Sequence, residues 1–230
     1  TRVQAALRTP PPKPKHTTLG RFFGVYSDPR AYLSMAYMLL ALATGIFYFT
    51  FAVTGLSLSA GFAILIIGIP FFLLFIGTTR VLALAEGRIV ETLLGTRMPR
   101  RPVHPGPPMG WMQRVLEMLK DPRTWGTLLY LLLMLPLGLF HFTFVIVGVV
   151  CSLALTIAPI AVLLFHAGVI TIDGTVESPH PALLPLVSIL GIVLLTVTLH
   201  LTRGIGYLHG QLAKSLLVRA PRTADEPAVA

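Results

Sequence analysis

Histidine is the residue of this chain best suited to sensing chemistry, because its imidazole titrates close to neutral pH. Four histidines lie within or beside one long apolar region, at positions 141, 166, 180 and 200. An ionisable group inside a membrane segment is a candidate for function, here for sensing protons or a metal. The alternative is structural or interfacial histidines, since the four lie too far apart in sequence for a compact ligand motif.

Two acidic residues mark the same region. Asp173 and Glu177 are the only acidic residues between positions 122 and 224. We take Asp173, Glu177, His166 and His180 as candidate contacts for an external signal or a partner. A solvated loop is the alternative interpretation.

A short motif occurs twice in the chain. Asp-Pro-Arg stands at residues 28–30 and again at 121–123, each time before an apolar segment. Asp caps free helical N–H groups, Pro suits the first helical turn and Arg lies at the membrane interface. Arg80 and Arg203 follow two other apolar segments. The candidate transmission or interface anchors are therefore Asp28, Arg30, Arg80, Asp121, Arg123 and Arg203.

Motifs for catalysis or cofactor binding are missing from the sequence. It contains no phosphate-binding loop, dinucleotide fingerprint, HExxH motif or nucleophile elbow. Cys151 is the single cysteine, so neither an intrachain disulfide nor a thiolate metal cluster is expected. The predicted spans contain no Asp or Glu, which argues against intramembrane acid–base catalysis and carboxylate-driven ion pumping. We therefore predict a protein that is not an enzyme and uses no cofactor or metal.

The composition determines the class of protein that must position these residues. Of the 230 residues, 54% are apolar and 12% are charged. A soluble domain has about 25% charged residues, so this chain has too little polar surface to form a soluble globule. We predict a polytopic membrane protein.

The basic residues predict the orientation of the chain. All 18 Lys and Arg residues lie in the blocks 1–30, 80–123 and 203–222, and the net charge is +9. This distribution follows the positive-inside rule and favours contact with the anionic inner leaflet. It does not indicate nucleic-acid binding. We predict a multi-pass protein of the cytoplasmic membrane with both termini cytoplasmic.

Four segments are long and apolar enough to span a bilayer: 31–54, 61–79, 124–150 and 182–202. A tight turn at 55–61 is expected to join the first two. Residues 151–166 suit a fifth span, a re-entrant segment or an interfacial segment. Four spans keep every basic residue on one side, so we predict an external element at about 151–181.

The chain contains an internal repeat. Residues 18–64 align without gaps on 111–157 with 16 identities in 47 positions, and 79–94 align on 202–217. Each copy holds two spans, which predicts two parallel hairpin repeats related by an axis along the membrane normal. An amphipathic interfacial helix follows each hairpin. The predicted fold is all-α, with a basic Pro-rich tail (1–17), repeat 1 (18–97), a linker (98–110), repeat 2 (111–218) and a C-terminal tail (219–230).

Five segments carry a family resemblance: 23–32, 45–58, 121–125, 130–138 and 202–210. They resemble the "putative sensor" family, polytopic membrane modules of bacteria and archaea that often precede the core of a histidine kinase. The resemblance covers about residues 20–218 and implies detection of an envelope or membrane signal. No phosphoacceptor helix or ATP-binding domain follows Val218, so we expect a stand-alone module that acts through a partner.

Three hypotheses for function follow. The first is a non-catalytic sensor or accessory module, in which a change at 151–181 shifts hairpin packing and reaches the helices at 80–95 and 203–218. It acts on a membrane-protein partner or a second copy. The second is a structural subunit of a transporter, respiratory or photosynthetic complex. The third is a lipid or small-molecule carrier, which predicts a polar-lined cavity between the repeats. Separately, Phe47, Phe49 and Phe51 suit either packing or a lipid or quinone groove.

Overall fold

The computed structural model describes residues 18–62, 64, 68–98, 113, 116, 119–165, 170–172, 175–177 and 183–218. The chain begins there with a short helix, α1 (Thr18–Phe23), and a 3-10 turn, Gly24–Ser27. Four long helices follow: α2 (Pro29–Phe62), α3 (Gly68–Leu94), α4 (Pro122–Phe165) and α5 (Leu184–Leu217). A hairpin of β1 (Ile170–Ile172) and β2 (Thr175–Glu177) lies between α4 and α5.

Within the described residues, the four long helices are also long and apolar enough to cross a membrane. Helices satisfy their own backbone hydrogen bonds, which lipid cannot do for them. The predicted all-α integral membrane fold with four spanning helices is therefore confirmed.

The helices are longer than the predicted spans, and two predictions of breaks are wrong. α2 continues through 55–61, so the expected turn there is helical. α4 continues through Cys151 and Pro159 to Phe165, so residues 151–165 form neither a fifth span nor a re-entrant segment. Proline costs a membrane helix one backbone hydrogen bond but does not have to end it. The segment between α4 and α5 that is left for an external element is correspondingly shorter.

The amphipathic helices expected after each hairpin are also not separate elements. They are the C-terminal parts of α3 and α5, which run on without interruption past Arg80 and Arg203. No proline stands at either junction. The Thr79 and Thr202 hydroxyls donate to the carbonyls of Phe75 and Thr198, four residues earlier in the same helix.

The order of contacts shows how the hairpins pack. α5 runs antiparallel to α4, because Gly126 lies against Leu216 and Gly148 against Thr198. It runs parallel to α2, since Ser34 lies against Gly206 and Tyr37 contacts His209. The first helices of the two repeats, α2 and α4, are therefore antiparallel along their contact.

Two glycines allow that contact to be close. Gly45 lies against the backbone of Met134, and Gly138 lies against the backbone of Ala41. The repeat alignment pairs Gly45 with Gly138, so each repeat contributes the same residue to the crossing. Small residues are the usual means of close helix approach in membranes.

The length of α4 constrains how the bundle lies in a bilayer. Its 44 residues extend about 66 Å at 1.5 Å per residue, against a hydrocarbon core of about 30 Å. No Asp, Glu, Lys or Arg occurs from Thr124 to Phe165, so an upright helix would expose apolar surface to water. A strong tilt or a bend removes this mismatch. The antiparallel contact of α2 and α4 differs from the arrangement expected of parallel repeats with upright helices, in which equivalent helices run the same way.

The close approach at Gly138 predicts a destabilising substitution. Gly138→Ala places a methyl group against the Ala41 carbonyl and is expected to lower the free energy of unfolding by about 1–3 kcal/mol. Gly77→Ala is the matched control, because no atom lies within 4 Å of an added Cβ there. We expect the control to be neutral or to stabilise by up to about 1 kcal/mol. Unfolding in detergent followed by circular dichroism measures both, and equal effects would contradict the proposed crossing.

The distribution of the basic residues predicts that both hairpin turns face outwards. Ile64→Cys and Glu177→Cys, each made in a Cys151→Ser background, should both react with an impermeant maleimide added outside. Asp225→Cys is the inner control and should react only after permeabilisation. Labelling of positions 64 and 177 from opposite sides would show inverted hairpins instead.

Candidate functional site

Six polar side chains meet at the centre of the bundle, and we call them the polar cluster. All four long helices contribute: α2 and α4 two residues each, α3 and α5 one each. None is more than 4% exposed. The members are Tyr37, Tyr48, Glu86, Tyr130, His141 and His209.

The Glu86 carboxylate is the acceptor at the middle of the cluster, with 0% exposure. The Tyr37 hydroxyl donates to Oε1 at 2.7 Å, and the Tyr130 hydroxyl donates to the same oxygen at 3.0 Å. Tyr48 donates to Oε2 at 3.1 Å. Both oxygens therefore have partners, which offsets the loss of hydration on burial.

His209 completes the network from the opposite side. Its Nε2 lies 2.6 Å from the Tyr37 oxygen and 3.1 Å from the Tyr130 oxygen. Each of these hydroxyls has one proton and directs it at Glu86, so Nε2 carries a proton and donates to them. Nδ1 of His209 is buried with no hydrogen-bond partner. The His141 ring is 5.1 Å away, centre to centre, and its Nδ1 is likewise buried without a partner.

The cluster follows the internal repeat. With the offset of 93 residues, Tyr37 pairs with Tyr130 and Tyr48 with His141; with the offset of 123, Glu86 pairs with His209. The contacts repeat in the same way, because Tyr37 contacts His209 and Tyr130 contacts Glu86. The cluster therefore lies on the pseudo-twofold axis, with an acid from one repeat opposite a base from the other.

Local sequence explains why α2 presents tyrosines here. Its buried positions Tyr37, Ala41, Gly45, Tyr48 and Ala52 recur every three or four residues, which defines one helix face. The small residues allow α4 to approach, and the tyrosines fill the space at either end of the contact. A tyrosine ring packs as an apolar group while its hydroxyl needs a polar partner, which Glu86 provides.

The chemistry available to such a cluster is proton binding and transfer. It combines an acid, a base and bridging hydroxyl groups within hydrogen-bond distance of one another. The described part of the chain has no set of three His, Cys, Asp or Glu side chains that could hold a metal ion.

The predicted anchors form two ion pairs, and each pair joins the two repeats. Arg203 of α5 lies 2.7 Å from Asp28, and Arg80 of α3 lies 3.7 Å from Asp121. Both arginine side chains are about half exposed, so the pairs contribute little to stability. Their role is to connect the start of one repeat to the middle of the other.

The capping function predicted for the Asp-Pro-Arg motif is confirmed. Asp28 Oδ1 accepts the backbone N–H of Arg30 at 3.0 Å. Asp121 Oδ1 accepts that of Arg123, also at 3.0 Å. Arg30 and Arg123 thus take part in the caps through their backbone.

The candidate external contacts are not brought to the polar cluster by any described contact. Glu177 ends β2 opposite Ile170. Asp173, His166 and His180 lie outside the described residues. His200 has a separate role: its Nε2 lies 3.0 Å from the carbonyl oxygen of Phe22, and the two rings stack.

An apolar groove opens between α2 and α3, with a cavity volume of about 390 Å³. Phe51 and Phe75 form part of its wall, with ring centres 5.4 Å apart. The corresponding place in repeat 2 has Thr198 instead of Phe75, and Thr198 lies directly against Gly148. The phenylalanine side chain thus separates the helices of repeat 1, whereas threonine lets those of repeat 2 approach.

Sequence reasoning found only one member of the cluster. His141 is among the histidines that the sequence marks as candidates, whereas Glu86 falls within the amphipathic helix predicted at 80–95. The predicted span 61–79 contains no acidic residue, but α3 continues to Leu94 and therefore includes Glu86. A signal was present: a polar residue stands at position 48 and at its repeat equivalent 141, within otherwise matching Phe-x-Phe-Thr-Phe segments.

Comparison with known proteins identifies one family. The family model described as "Putative sensor" matches residues 37–217, which include the whole polar cluster. No curated protein and no solved structure matches the chain.

The hydrogen bonds of the cluster predict that a buried tyrosine hydroxyl contributes far more to the free energy of unfolding than an exposed one. Tyr130→Phe removes a donor to Glu86 and an acceptor for His209, so the free energy of unfolding should fall by about 1–3 kcal/mol. Tyr207→Phe on α5 is the control, since Tyr207 is 63% exposed and should change by less than about 0.5 kcal/mol. Tyr37→Phe combined with Tyr130→Phe should be non-additive, because both act on one carboxylate oxygen. Unfolding in detergent is measured for the wild type, Tyr37→Phe, Tyr130→Phe, the double variant and the Tyr207→Phe control; additive effects of the two cluster substitutions would contradict a shared network.

Proposed function

The chain belongs to the "Putative sensor" family, and we propose from this that it is a non-catalytic sensor module of the cytoplasmic membrane. It detects a change in the envelope or the membrane and passes it to a partner protein. The polar cluster is the observation that supports this most directly, because it connects both repeats and all four long helices through one buried carboxylate.

A sensor needs an element with two arrangements, and a buried polar network provides one. Each hydrogen bond in a low-dielectric interior is costly to lose singly, so such a network tends to stay complete or to rearrange as a whole. Loss of the network frees α3 and α5 from α2 and α4. This describes a change in how the repeats pack.

α4 offers a path for the signal. One continuous helix links the 151–165 segment to His141 and Tyr130 in the cluster. A displacement at the end of α4 near Phe165 can therefore reach the residues that contact Glu86 through one helix, in which Pro136 and Pro159 are points where the helix can bend. The external insertion keeps its proposed role as the place where the signal acts, with Asp173, Glu177, His166 and His180 as candidate contacts.

The output surface lies on the C-terminal parts of α3 and α5. Arg88 and Lys214 are exposed there, and the ion pairs of Arg80 and Arg203 begin the same segments. We propose that these segments contact the anionic inner leaflet and a membrane-protein partner or a second copy of the chain. Nucleic acid is not among the proposed partners.

The apolar groove favours one second candidate, a carrier of lipid or another apolar molecule. A carrier with its site between the repeats would need a cavity there. The polar cluster fills that place in this chain, and the groove lies within repeat 1 instead. The sensor function therefore accounts for more of the structure.

If the module acts through a partner, the amount of partner that it binds should depend on the state of the polar cluster. Tagged wild-type, Glu86→Gln and Tyr207→Phe chains are purified from their native membrane in nanodiscs, at matched expression, and co-purifying proteins are quantified by mass spectrometry. We expect the amount of one partner, or of the homo-oligomer, to change several-fold in Glu86→Gln and not in Tyr207→Phe. A constant one-to-one partner in all three would indicate a structural subunit, and no partner in any would contradict the partner step.

A further inference from the structure

We propose that the polar cluster is a binding site for one exchangeable proton, shared between Glu86 of repeat 1 and His209 of repeat 2. On the proposed sensor function, this proton is the signal that the module reads. The site itself depends only on the geometry of the cluster.

Proton bookkeeping defines the states of the site. Three tyrosine hydroxyls direct their protons at Glu86, and Nε2 of His209 directs its proton at two of those oxygens. With an ionised Glu86 and a neutral His209, the cluster has a charge of −1. One more proton, on the carboxylate or on the unpartnered Nδ1 of His209, makes the cluster neutral.

Burial favours the neutral state. A buried net charge is expensive unless a countercharge lies beside it. The ionisable groups facing Glu86 and His209 are Tyr37 and Tyr48 of α2 and Tyr130 and His141 of α4. The neighbouring basic residues of α3 and α5, Arg88 and Lys214, are exposed and so do not supply a buried countercharge.

The charge balance of the buried cluster makes the site selective for a single proton. Identical tyrosines, Tyr37 and Tyr130, bridge the acid and the base, so the proton has two equivalent routes between repeats. A second proton creates a buried cation and takes the ionised acceptor away from the tyrosines. Loss of the only proton leaves a buried anion. Either change weakens the contact that holds the repeats together.

The test is the pH dependence of the folding equilibrium constant, measured on purified protein in detergent from about pH 5 to pH 9. In an unfolded chain glutamate titrates near pH 4.3 and histidine near pH 6.5. Between these values the folded and unfolded chains each hold one proton on this pair, so the pair contributes no slope. Above about pH 6.5 only the folded chain keeps the proton, and the constant should fall by up to about tenfold per pH unit.

Substitutions of the two proton-carrying residues should change this profile in opposite ways. In Glu86→Gln the folded cluster is neutral without the extra proton, so the folding equilibrium constant should no longer decrease as the pH rises above about 6.5. It should instead decrease as the pH is lowered below about 6.5, because only the unfolded chain then binds a proton at His209. In His209→Gln the proton remains on Glu86 in the folded chain. The folding equilibrium constant should therefore begin to decrease at a lower pH than in the wild type, from about pH 4.3 upwards. Tyr207→Phe is the control: Tyr207 lies outside the polar cluster and is 63% exposed, so this variant should keep the wild-type profile.

The outcomes separate this proposal from the sensor function. Wild type and Glu86→Gln with the same slope above pH 6.5 would overturn the proton site, even if partner binding still depends on the cluster. If Glu86→Gln does not fold, comparison of His209→Gln with Tyr207→Phe gives the same decision. A third outcome is that the wild-type pH profile is as expected but partner binding does not vary between pH 6 and pH 8. This outcome would support the proton site and overturn the proposal that the proton is the signal.

Discussion

A carboxylate with no exposed surface is the constraint around which this bundle is organised. Glu86 lies among apolar helices, and a buried acid without partners would cost several kcal/mol. Three tyrosine hydroxyls from two different helices supply the partners, and His209 from a further helix bonds to two of those hydroxyls. The requirement to satisfy one group therefore brings four helices to a common point. Apolar packing alone has no such directional demand.

The internal repeat explains how one acid acquires such a complete set of partners. Duplicated hairpins that meet across a pseudo-twofold axis place equivalent positions close together, so Tyr37 and Tyr130 reach the same carboxylate oxygen. The close contact of α2 and α4 at Gly45 and Gly138 makes this reach possible. Divergence between the copies then gave one side an acid and the other a base, which turns a symmetric packing site into a site for a proton. The two ion pairs likewise each join a residue of one repeat to a residue of the other, and they do so towards the helix ends.

The groove in repeat 1 shows how a single substitution separates the two copies further. Phe75 holds α2 and α3 apart, while Thr198 at the equivalent place lets α4 and α5 close on Gly148. One hairpin is therefore more loosely packed than the other, although both derive from the same pattern. Loosely packed elements are those that rearrange at the lowest cost. The asymmetry thus gives repeat 1 the greater freedom to move when the cluster changes.

Composition, charge distribution and repetition were sufficient to determine the class of protein, the four apolar helices and the helix caps at Asp28 and Asp121, while the family was indicated by the resemblance of particular segments and shown by the family model. These are properties of local segments, because lipid forces each apolar segment to satisfy its own backbone. Helix ends were less predictable, since glycine and proline in α2 and α4 do not break a membrane helix. The role of Glu86 was decided by tertiary structure alone. A residue between two basic positions reads as a surface residue, and only the convergence of four helices, each contributing a hydrogen-bonding group, makes its burial favourable.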